Sequence, residues 1–226
     1  MFRPVLRSKA DSVPFSIAAG SDTTAITLST ALYYLYRSPH SLKALREEID
    51  RMAAEGTISD PVTFKEAQGM PYLQAVIAEA LRIHPAVGYI LERTTPEGGT
   101  ELAGRYFPEA VRVGVSAWAL HQDPELYGKD VDVFRPERFL ETSPKNSSLQ
   151  LGQMFTFGAG ARSCLGKNVS LLEMTKVIPQ IVRQFDLVFE SDKPWETYTS
   201  WFVWQKYYCY LEPRKDLVEQ SSMTEA

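Results

Sequence analysis

The feature that most constrains this chain is a segment around one of its two cysteines, running from Phe157 through Cys164 to Gly166. Two glycines precede the cysteine, and glycine permits a positive φ or the close approach of a flat ligand. The apolar pattern from Leu165 to Phe185 predicts a helix directly afterwards. A cysteine at a helix N-terminus favours the thiolate, which is the form that binds soft metals. We therefore expect Cys164 to be a metal ligand.

The spacing F-x-x-G-x-R-x-C-x-G in this segment resembles the heme-binding signature of the cytochrome P-450 monooxygenases, with matches at Phe157, Gly160, Arg162, Cys164 and Gly166. The resemblance implies that Cys164 is the axial thiolate on the iron of heme b. It also implies that Phe157 packs beside the sulfur and that Arg162 meets a heme propionate. The plain alternative is a buried structural cysteine after a glycine turn, which five matched positions disfavour.

A second motif interrupts a long helical pattern, Phe15 to Tyr36, which we expect to begin near Asp11 or Ser12. A helix selected only for stability would avoid glycine, aspartate and two threonines in its middle. The interruption resembles the family's oxygen-binding A-G-x-D-T-T segment, and this implies that Asp22 and Thr23 relay protons to the oxygen-activation site. The alternative is a threonine-rich helix against a tight neighbour.

A third motif lies on the helix predicted from Met70 to His84, where Glu79 and Arg82 are three residues apart. Such pairs usually sit on solvated helix faces and contribute only roughly 0.2–0.5 kcal/mol. In the family, however, E-x-x-R is a buried pair completed by a later P-E-R-F arginine, which matches Arg138 here. The resemblance implies a network of Glu79, Arg82 and Arg138 that fixes the heme-binding core.

Three further side chains are of types that can carry chemistry. Arg93 matches a family arginine that binds the second heme propionate, and a solvated arginine at a strand end is the alternative. His84 and His121 have no paired carboxylate or cysteine at metal spacing, so structural roles are favoured for both. A cysteine hydrolase that uses Cys164 with one of these histidines is a weaker alternative, because it leaves the Glu79 motif unexplained.

The remaining segments predict mixed structure. Helical periodicity covers residues 42–54, a strand is expected over 87–91, and small hairpins are expected over 98–115. Strands are predicted at 186–190 and 202–211, with an aromatic hairpin tip at 195–201 between them. Pro179 should kink the helix that contains it. We expect a polar tail from Arg214 to Ala226.

Composition excludes several classes. With 226 residues and 44% apolar residues, the chain can bury a sizeable core. A net charge of −4, from 24 basic and 28 acidic residues, gives no reason to expect a nucleic-acid partner. Two cysteines are too few for a disulfide framework, and no apolar run is long enough for a membrane span. An intracellular location is expected, and the family resemblance implies the endoplasmic reticulum membrane although no anchor is seen.

The resemblance extends from Ala18 to about Arg214 and implies a mainly α fold with small β-sheets, the C-terminal portion of the cytochrome P-450 fold. We expect a partial domain over residues 1–213, followed by the tail at 214–226. We expect the N-terminal helices of complete members to have no counterpart in this sequence. The Leu-Glu-Arg, Pro-Glu-Arg-Phe and C-terminal patterns most resemble those of fungal members of the pisatin-demethylase-like kind.

The expected function follows from that resemblance. A heme-thiolate monooxygenase inserts one atom of O₂ into a small apolar organic substrate, with electrons from an NADPH-dependent cytochrome P-450 reductase. Residues 15–19, 86–90 and 197–202 are expected to line the substrate. The alternative is a non-catalytic remnant that binds heme poorly or not at all, since burial supplies most of the affinity for an apolar cofactor.

Overall fold

This computed structural model describes residues 9–140 and 154–215, with side chains from Ile17 onward in the first helix. Within those ranges, none of the helices is both long enough and apolar enough to cross a membrane. The α-helices of the described ranges are α1 Lys9–Arg37, α2 Pro39–Ala54, α3 Phe64–Gln68, α4 Pro71–Ile83, α5 Ala117–His121, α6 Pro124–Tyr127 and α7 Lys167–Gln184. Short 3₁₀ helices occur at Pro136–Phe139 and Gly160–Arg162.

The strands of the described ranges pair as antiparallel two-stranded sheets. The pairs are β1 Leu91–Thr94 with β4 Arg112–Val115, β2 Thr100–Leu102 with β3 Arg105–Phe107, β5 Phe185–Phe189 with β8 Cys209–Pro213, and β6 Glu196–Thr199 with β7 Val203–Lys206. Long helices with small sheets confirm the α+β class that the sequence predicts.

The core lies between α1, α2, α4 and α7. Fully buried apolar side chains from all four helices meet there, including Leu35, Leu45, Val76 and Ile178. From Tyr72 to its end, α4 buries every residue except Gln74. The charged pair on α4 is therefore internal, unlike the pairs of an ordinary surface helix.

The N-terminus of α4 is capped from another helix. Its own N-cap residue, Met70, makes no side-chain cap. Instead, the Glu48 carboxylate from α2 accepts hydrogen bonds from the backbone amides of Tyr72 at 2.9 Å and Leu73 at 3.0 Å. Burial raises the pKa of Glu48. Two of the four amides that a helix start leaves without partners are thereby satisfied inside the protein.

The strand predicted at 87–91 is wrong. The strand in this region begins at Leu91, and Val87 makes only an isolated antiparallel bridge with Phe202. Between them, Gly88 donates to the carbonyl of Trp201 at 3.2 Å, and a Cβ on Gly88 would lie 2.6 Å from the Val203 side chain. This close crossing of two chain segments replaces the regular pairing.

Two other boundaries differ from expectation. The segment predicted as a hairpin tip contains β6, and the strand predicted at 202–211 is split into β7 and β8. The split occurs at Tyr207, whose ring packs against Tyr33 and whose hydroxyl donates to the Ser29 carbonyl of α1 at 2.9 Å. The predicted tail begins too early, because Arg214 is buried and binds both carboxylate oxygens of Asp50 at 2.9 and 2.6 Å.

Candidate functional site

The cysteine loop, residues 157–166, turns back on itself before α7. The Cys164 amide donates to the Phe157 carbonyl at 2.8 Å, and the Ser163 amide donates to the Gly160 carbonyl at 3.1 Å. Gly158 and Gly160 adopt φ values of 66° and 65°, which residues with a Cβ resist. The glycines therefore allow the loop to present Cys164, whose side chain is exposed.

The start of α7 is two residues later than the sequence predicts. Lys167 is its first residue and Gly166 is its N-cap, so Cys164 precedes the helix rather than opening it. A Cβ at Gly166 would lie 3.8 Å from the Cys164 sulfur, and glycine keeps that side of the sulfur open. Phe157 is partly buried against the main core and anchors the other end of the loop.

A cleft of about 190 Å³ lies between α1, the end of α4, the start of β1 and the cysteine loop. Cys164, Arg162, Phe157 and Thr23 all line it. The rest of the wall is largely apolar, with Leu81, Leu91 and Met174 among its side chains. Four residues singled out from two distant parts of the sequence thus meet at one place.

Of the two relay residues, only Thr23 lines this cleft. Its hydroxyl donates to the Ala19 carbonyl one turn earlier at 2.8 Å. Asp22 is partly exposed, accepts a hydrogen bond from the Ser21 hydroxyl at 3.4 Å and is not part of the cleft wall. The neighbouring Thr24 donates to the Ser170 hydroxyl of α7 at 3.1 Å.

The two arginines matched to propionate binding occupy different positions. Arg162 lines the cleft at the end of a 3₁₀ turn and has no ion-pair partner within the described ranges. Arg93 is exposed outside the cleft wall and donates to the adjacent Glu92 carbonyl at 2.7 Å. Because side chains alternate along a strand, Arg93 projects from the same face of β1 as Leu91, which does line the cleft.

Glu79, Arg82 and Arg138 form one buried network. Arg82 donates to both Glu79 oxygens at 2.7 and 2.8 Å, and Arg138 Nε donates to Glu79 Oε1 at 3.0 Å. The Arg135 backbone amide donates the fourth hydrogen bond to this carboxylate, at Oε1 and 2.9 Å. The side chains of Glu79, Arg82 and Arg138 are at most 1% exposed. Planar guanidinium groups suit this site, because they saturate a carboxylate away from water.

The outer nitrogens of Arg138 bind the loop that follows α6. They donate to the backbone carbonyls of Tyr127, Asp130 and Val133, and to the Asp130 side chain at 3.2 Å. Arg138 therefore links the carboxylate on α4 to a segment that has little regular structure of its own. The sequence motif indicates the three partners, but it does not indicate these carbonyl contacts.

Neither histidine forms a pair with Cys164. His84 Nε2 contacts the Val203 carbonyl at 2.9 Å, and His121 contacts backbone groups of Arg82 and Phe155. Both are buried, and neither lines the cleft that contains the cysteine. The cysteine hydrolase alternative is therefore wrong, because among the described residues no histidine side chain lies beside Cys164 in the cleft. The backbone contacts of His84 and His121 agree with the structural roles that the sequence predicts for them.

Several residues at the site were not found from the sequence. Ser170 and Thr156 line the cleft, and the Thr156 hydroxyl donates to the Leu81 carbonyl near the end of α4 at 3.0 Å. Single hydroxyl residues carry no spacing signal. Met174 follows Ser170 by four residues and so lies on the same face of α7, a periodicity that could have indicated both.

Comparisons with known proteins identify the family. A family model described as Cytochrome P-450 matches residues 10–212. Two proteins named pisatin demethylase from Fusarium vanettenii are 50% and 51% identical to 90% and 89% of the chain, which covers 38% and 39% of their length. The cytochrome P-450 monooxygenase cicH of Emericella nidulans is 43% identical over 90% of the chain and 41% of that protein. The chain spans about two fifths of these curated relatives, consistent with the C-terminal portion of the fold, and it belongs to the cytochrome P-450 family.

Proposed function

We propose that the chain carries the heme-thiolate centre of a monooxygenase that oxidises small apolar organic compounds. The observation that carries this proposal is the meeting of Cys164, Arg162 and Thr23 in one largely apolar cleft. The overall reaction is RH + O₂ + 2e⁻ + 2H⁺ → ROH + H₂O. An NADPH-dependent cytochrome P-450 reductase supplies the two electrons at the endoplasmic reticulum membrane.

The residues of the cleft fit heme b. A cysteine sulfur with open space beside it suits a soft axial ligand, and apolar walls suit a flat macrocycle. Arg162 would be the cation for one propionate, and Arg93, on the same strand face as Leu91, would be the candidate for the other. Bound heme supplies the redox-active iron, whose electron density the Cys164 thiolate raises.

The residues on α1 supply protons. Thr23 already donates to the Ala19 carbonyl, so its hydroxyl oxygen remains an acceptor and can exchange a proton with a water molecule in the cleft. Asp22 on the adjoining, partly exposed face of the helix collects protons from solvent. Because Asp22 and Thr23 are adjacent on α1, protons would pass along this helix from solvent to the cleft.

The substrate approaches along segments that the fold brings together. Ala86 and Val87 line the cleft, and Val87 bridges to Phe202. Beside them, Tyr89 and Trp201 stack with ring centroids 5.2 Å apart. Residues 86–90 and 197–202 are thus adjacent, and we propose that they contact the substrate together. Of residues 15–19, which the sequence also assigns to the substrate, Ile17 lines a separate groove between α1 and α7, and the side chains of Phe15 and Ser16 lie outside the description. The names of two relatives make pisatin the first compound to try.

One observation favours the non-catalytic alternative. Leu165 is 99% exposed, and Cys164 beside it is exposed as well, so the described chain leaves the cysteine loop open on one side. A cofactor that is held mainly by burial would bind weakly to such a surface. Heme uptake therefore decides between the two functions before turnover is measured.

The test is turnover by the 226-residue chain supplied with heme, reductase, NADPH and isotopically labelled O₂. Pisatin and a panel of small apolar aromatic compounds serve as substrates. The proposal predicts labelled oxygen in organic products, which disappears in Cys164→Ala and persists in Cys209→Ala. Retained heme with no product above the Cys164→Ala background contradicts the enzyme. Failure to take up heme supports the remnant.

A further inference from the structure

His121 lies completely buried between the α4 network and the segment that leads to Cys164. The backbone amide of Phe155, two residues before the cysteine loop, donates to His121 Nε2 at 2.9 Å. On the other side of the ring, Nδ1 lies 3.2 Å from the Arg82 carbonyl. Since an amide can only donate and a carbonyl can only accept, the ring must carry its proton on Nδ1 and none on Nε2.

Further contacts make this a shared junction. Arg82 Nη1 donates to the His121 carbonyl at 3.0 Å, so the side chain of each residue binds the backbone of the other. One residue beyond Phe155, the Thr156 hydroxyl donates to the Leu81 carbonyl at 3.0 Å. The last carbonyls of a helix lack helical partners. At the end of α4, the Arg82 carbonyl accepts a hydrogen bond from His121 of α5, and the Leu81 carbonyl accepts one from Thr156, just before the cysteine loop.

We propose that His121 is a positioning residue that fixes the start of the cysteine loop against the C-terminal end of α4. It couples Arg82, a member of the buried network, to the backbone that presents Cys164. The inference deepens the proposed function, since it concerns the same loop, but its geometry exists without heme. It assigns to His121 a specific tautomer and two specific partners.

The surroundings of the ring favour the neutral form that this role requires. The pKa of His121 is lowered to about 4, chiefly by burial and also by the nearby positive charge of Arg82, against the opposing effect of the hydrogen bond to the Arg82 carbonyl. From α6, the Tyr127 ring meets the imidazole edge at 6.0 Å. Glu79 is held by Arg82 and Arg138, which leaves the imidazole without a carboxylate partner within the described residues.

The first test is nitrogen NMR of the histidine rings in the 226-residue chain without heme. Only three histidines are present, so the signals can be assigned by substituting each in turn. We expect His121 to carry its proton on Nδ1 and to stay neutral down to about pH 4. A proton on Nε2, or a ring that becomes charged near pH 6.5, would overturn the assignment.

The second test is amide hydrogen exchange in the peptide from Phe155 to Cys164, again without heme. His121→Asn retains a donor near Nδ1 but removes the acceptor for the Phe155 amide, and should accelerate exchange there by about tenfold. His121→Gln places an acceptor near Nε2 and should restore much of the protection. His84→Gln, at an equally buried histidine, is the matched control and should leave this peptide unchanged relative to the rest of the chain.

Equal acceleration in every segment of His121→Asn would contradict a positioning role, as would no acceleration in the Phe155 peptide. If both His121 variants fail to fold, the unaltered chain still tests the proposal. A proton on Nδ1 of His121 and a protected Phe155 amide would support it, and the other tautomer or an unprotected amide would contradict it. Because no heme is added, failure of the proposed monooxygenase leaves these results interpretable. Conversely, if the enzyme is active but His121 carries its proton on Nε2, the proposed function stands and the positioning role of His121 is contradicted.

Discussion

Thr24 and Ser170 join α1 to α7 through a hydroxyl–hydroxyl hydrogen bond of 3.1 Å. Both residues line the cleft that contains Cys164, and both also line the groove on the outer side of the same two helices. Their bond therefore forms part of the wall between cleft and groove. Since Thr23 is the next residue on α1, the bond also fixes the helix that carries the candidate relay.

Removal of this bond should show coupling between the two helices. Thr24→Val and Ser170→Ala each remove one partner, and a double-mutant cycle isolates the interaction. We expect a coupling free energy of about 0.5–1.5 kcal/mol in chemical denaturation, as for a typical hydrogen bond between neutral groups. Strict additivity of the two substitutions would show that the bond contributes nothing. Thr175→Val, at a buried threonine whose hydroxyl donates to carbonyls of its own helix α7, is the control for the loss of a hydroxyl.

Loss of the central carboxylate should destabilise the protein severely. Glu79→Ala leaves Arg82 and Arg138 buried without their counter-charge, and breaking a buried ion pair in this way costs about 3–5 kcal/mol of unfolding free energy. The same substitution should abolish heme retention. Urea denaturation and the heme content of the purified protein are the measurements.

The matched control for that experiment is Glu47→Ala on α2. Glu47 forms a solvent-exposed pair with Lys43 at 3.7 Å, and its removal should change the unfolding free energy by less than about 0.5 kcal/mol. Normal heme content in Glu79→Ala, or equal costs for the two substitutions, would contradict a network that supports the core.

The cap on α4 provides a separate prediction. Glu48→Gln should lower the unfolding free energy by about 1–3 kcal/mol, because one of the amides of Tyr72 and Leu73 would face an amide donor instead of a carboxylate oxygen. Thermal unfolding measures the loss. Glu66→Gln makes the same substitution in the solvent-exposed capping box of α3, where the amide oxygen can still accept from the Thr63 amide, and serves as the comparison for a cap in solvent. A smaller effect at Glu48 than at Glu66 would contradict the importance of the buried cap.

Stability should fall as the solution is acidified from pH 7 to pH 4. The pKa of His121 lies below its ordinary value, so the unfolded chain binds a proton that the folded chain excludes throughout this interval. A pKa of about 4 against 6.5 corresponds to roughly 3 kcal/mol. His84, whose pKa is also lowered by burial, adds to the effect. His121→Gln should flatten the urea-denaturation profile over this interval, and an unchanged slope would contradict the buried neutral ring.

The contrast between Asp22 and Thr23 shows a feature of the site that the sequence pattern does not predict. The motif identifies both residues, but adjacent helical residues point roughly 100° apart, so the motif does not indicate which of its side chains line the cleft; Thr23 and Thr24 do, and Asp22 does not. Which one faces it depends on how α1 is rotated against α4 and α7. That rotation is set by packing over the whole helix, and a six-residue motif does not contain it.

Burial of Glu79 and Arg82 is a second case. Their three-residue spacing is shared with ordinary surface pairs, and only the additional match at Arg138 indicates an internal network. The role of His121 could not be predicted from the sequence, because its partners Arg82 and Phe155 lie 39 and 34 residues away. Conversely, the cysteine loop was recognisable because its glycine, arginine and cysteine positions are close in the chain and chemically specific.

The most direct measurement is the carbon monoxide difference spectrum of the reduced, heme-supplied chain. If Cys164 is the axial ligand, the spectrum shows the strongly red-shifted Soret band of thiolate-bound heme, and Cys164→Ala loses it. Cys209→Ala is the matched control, because Cys209 lies in β8, where burial raises its pKa and disfavours the thiolate. It should retain the band. An imidazole-like band, or a red-shifted band that survives Cys164→Ala, would contradict the assignment of Cys164 as the heme ligand.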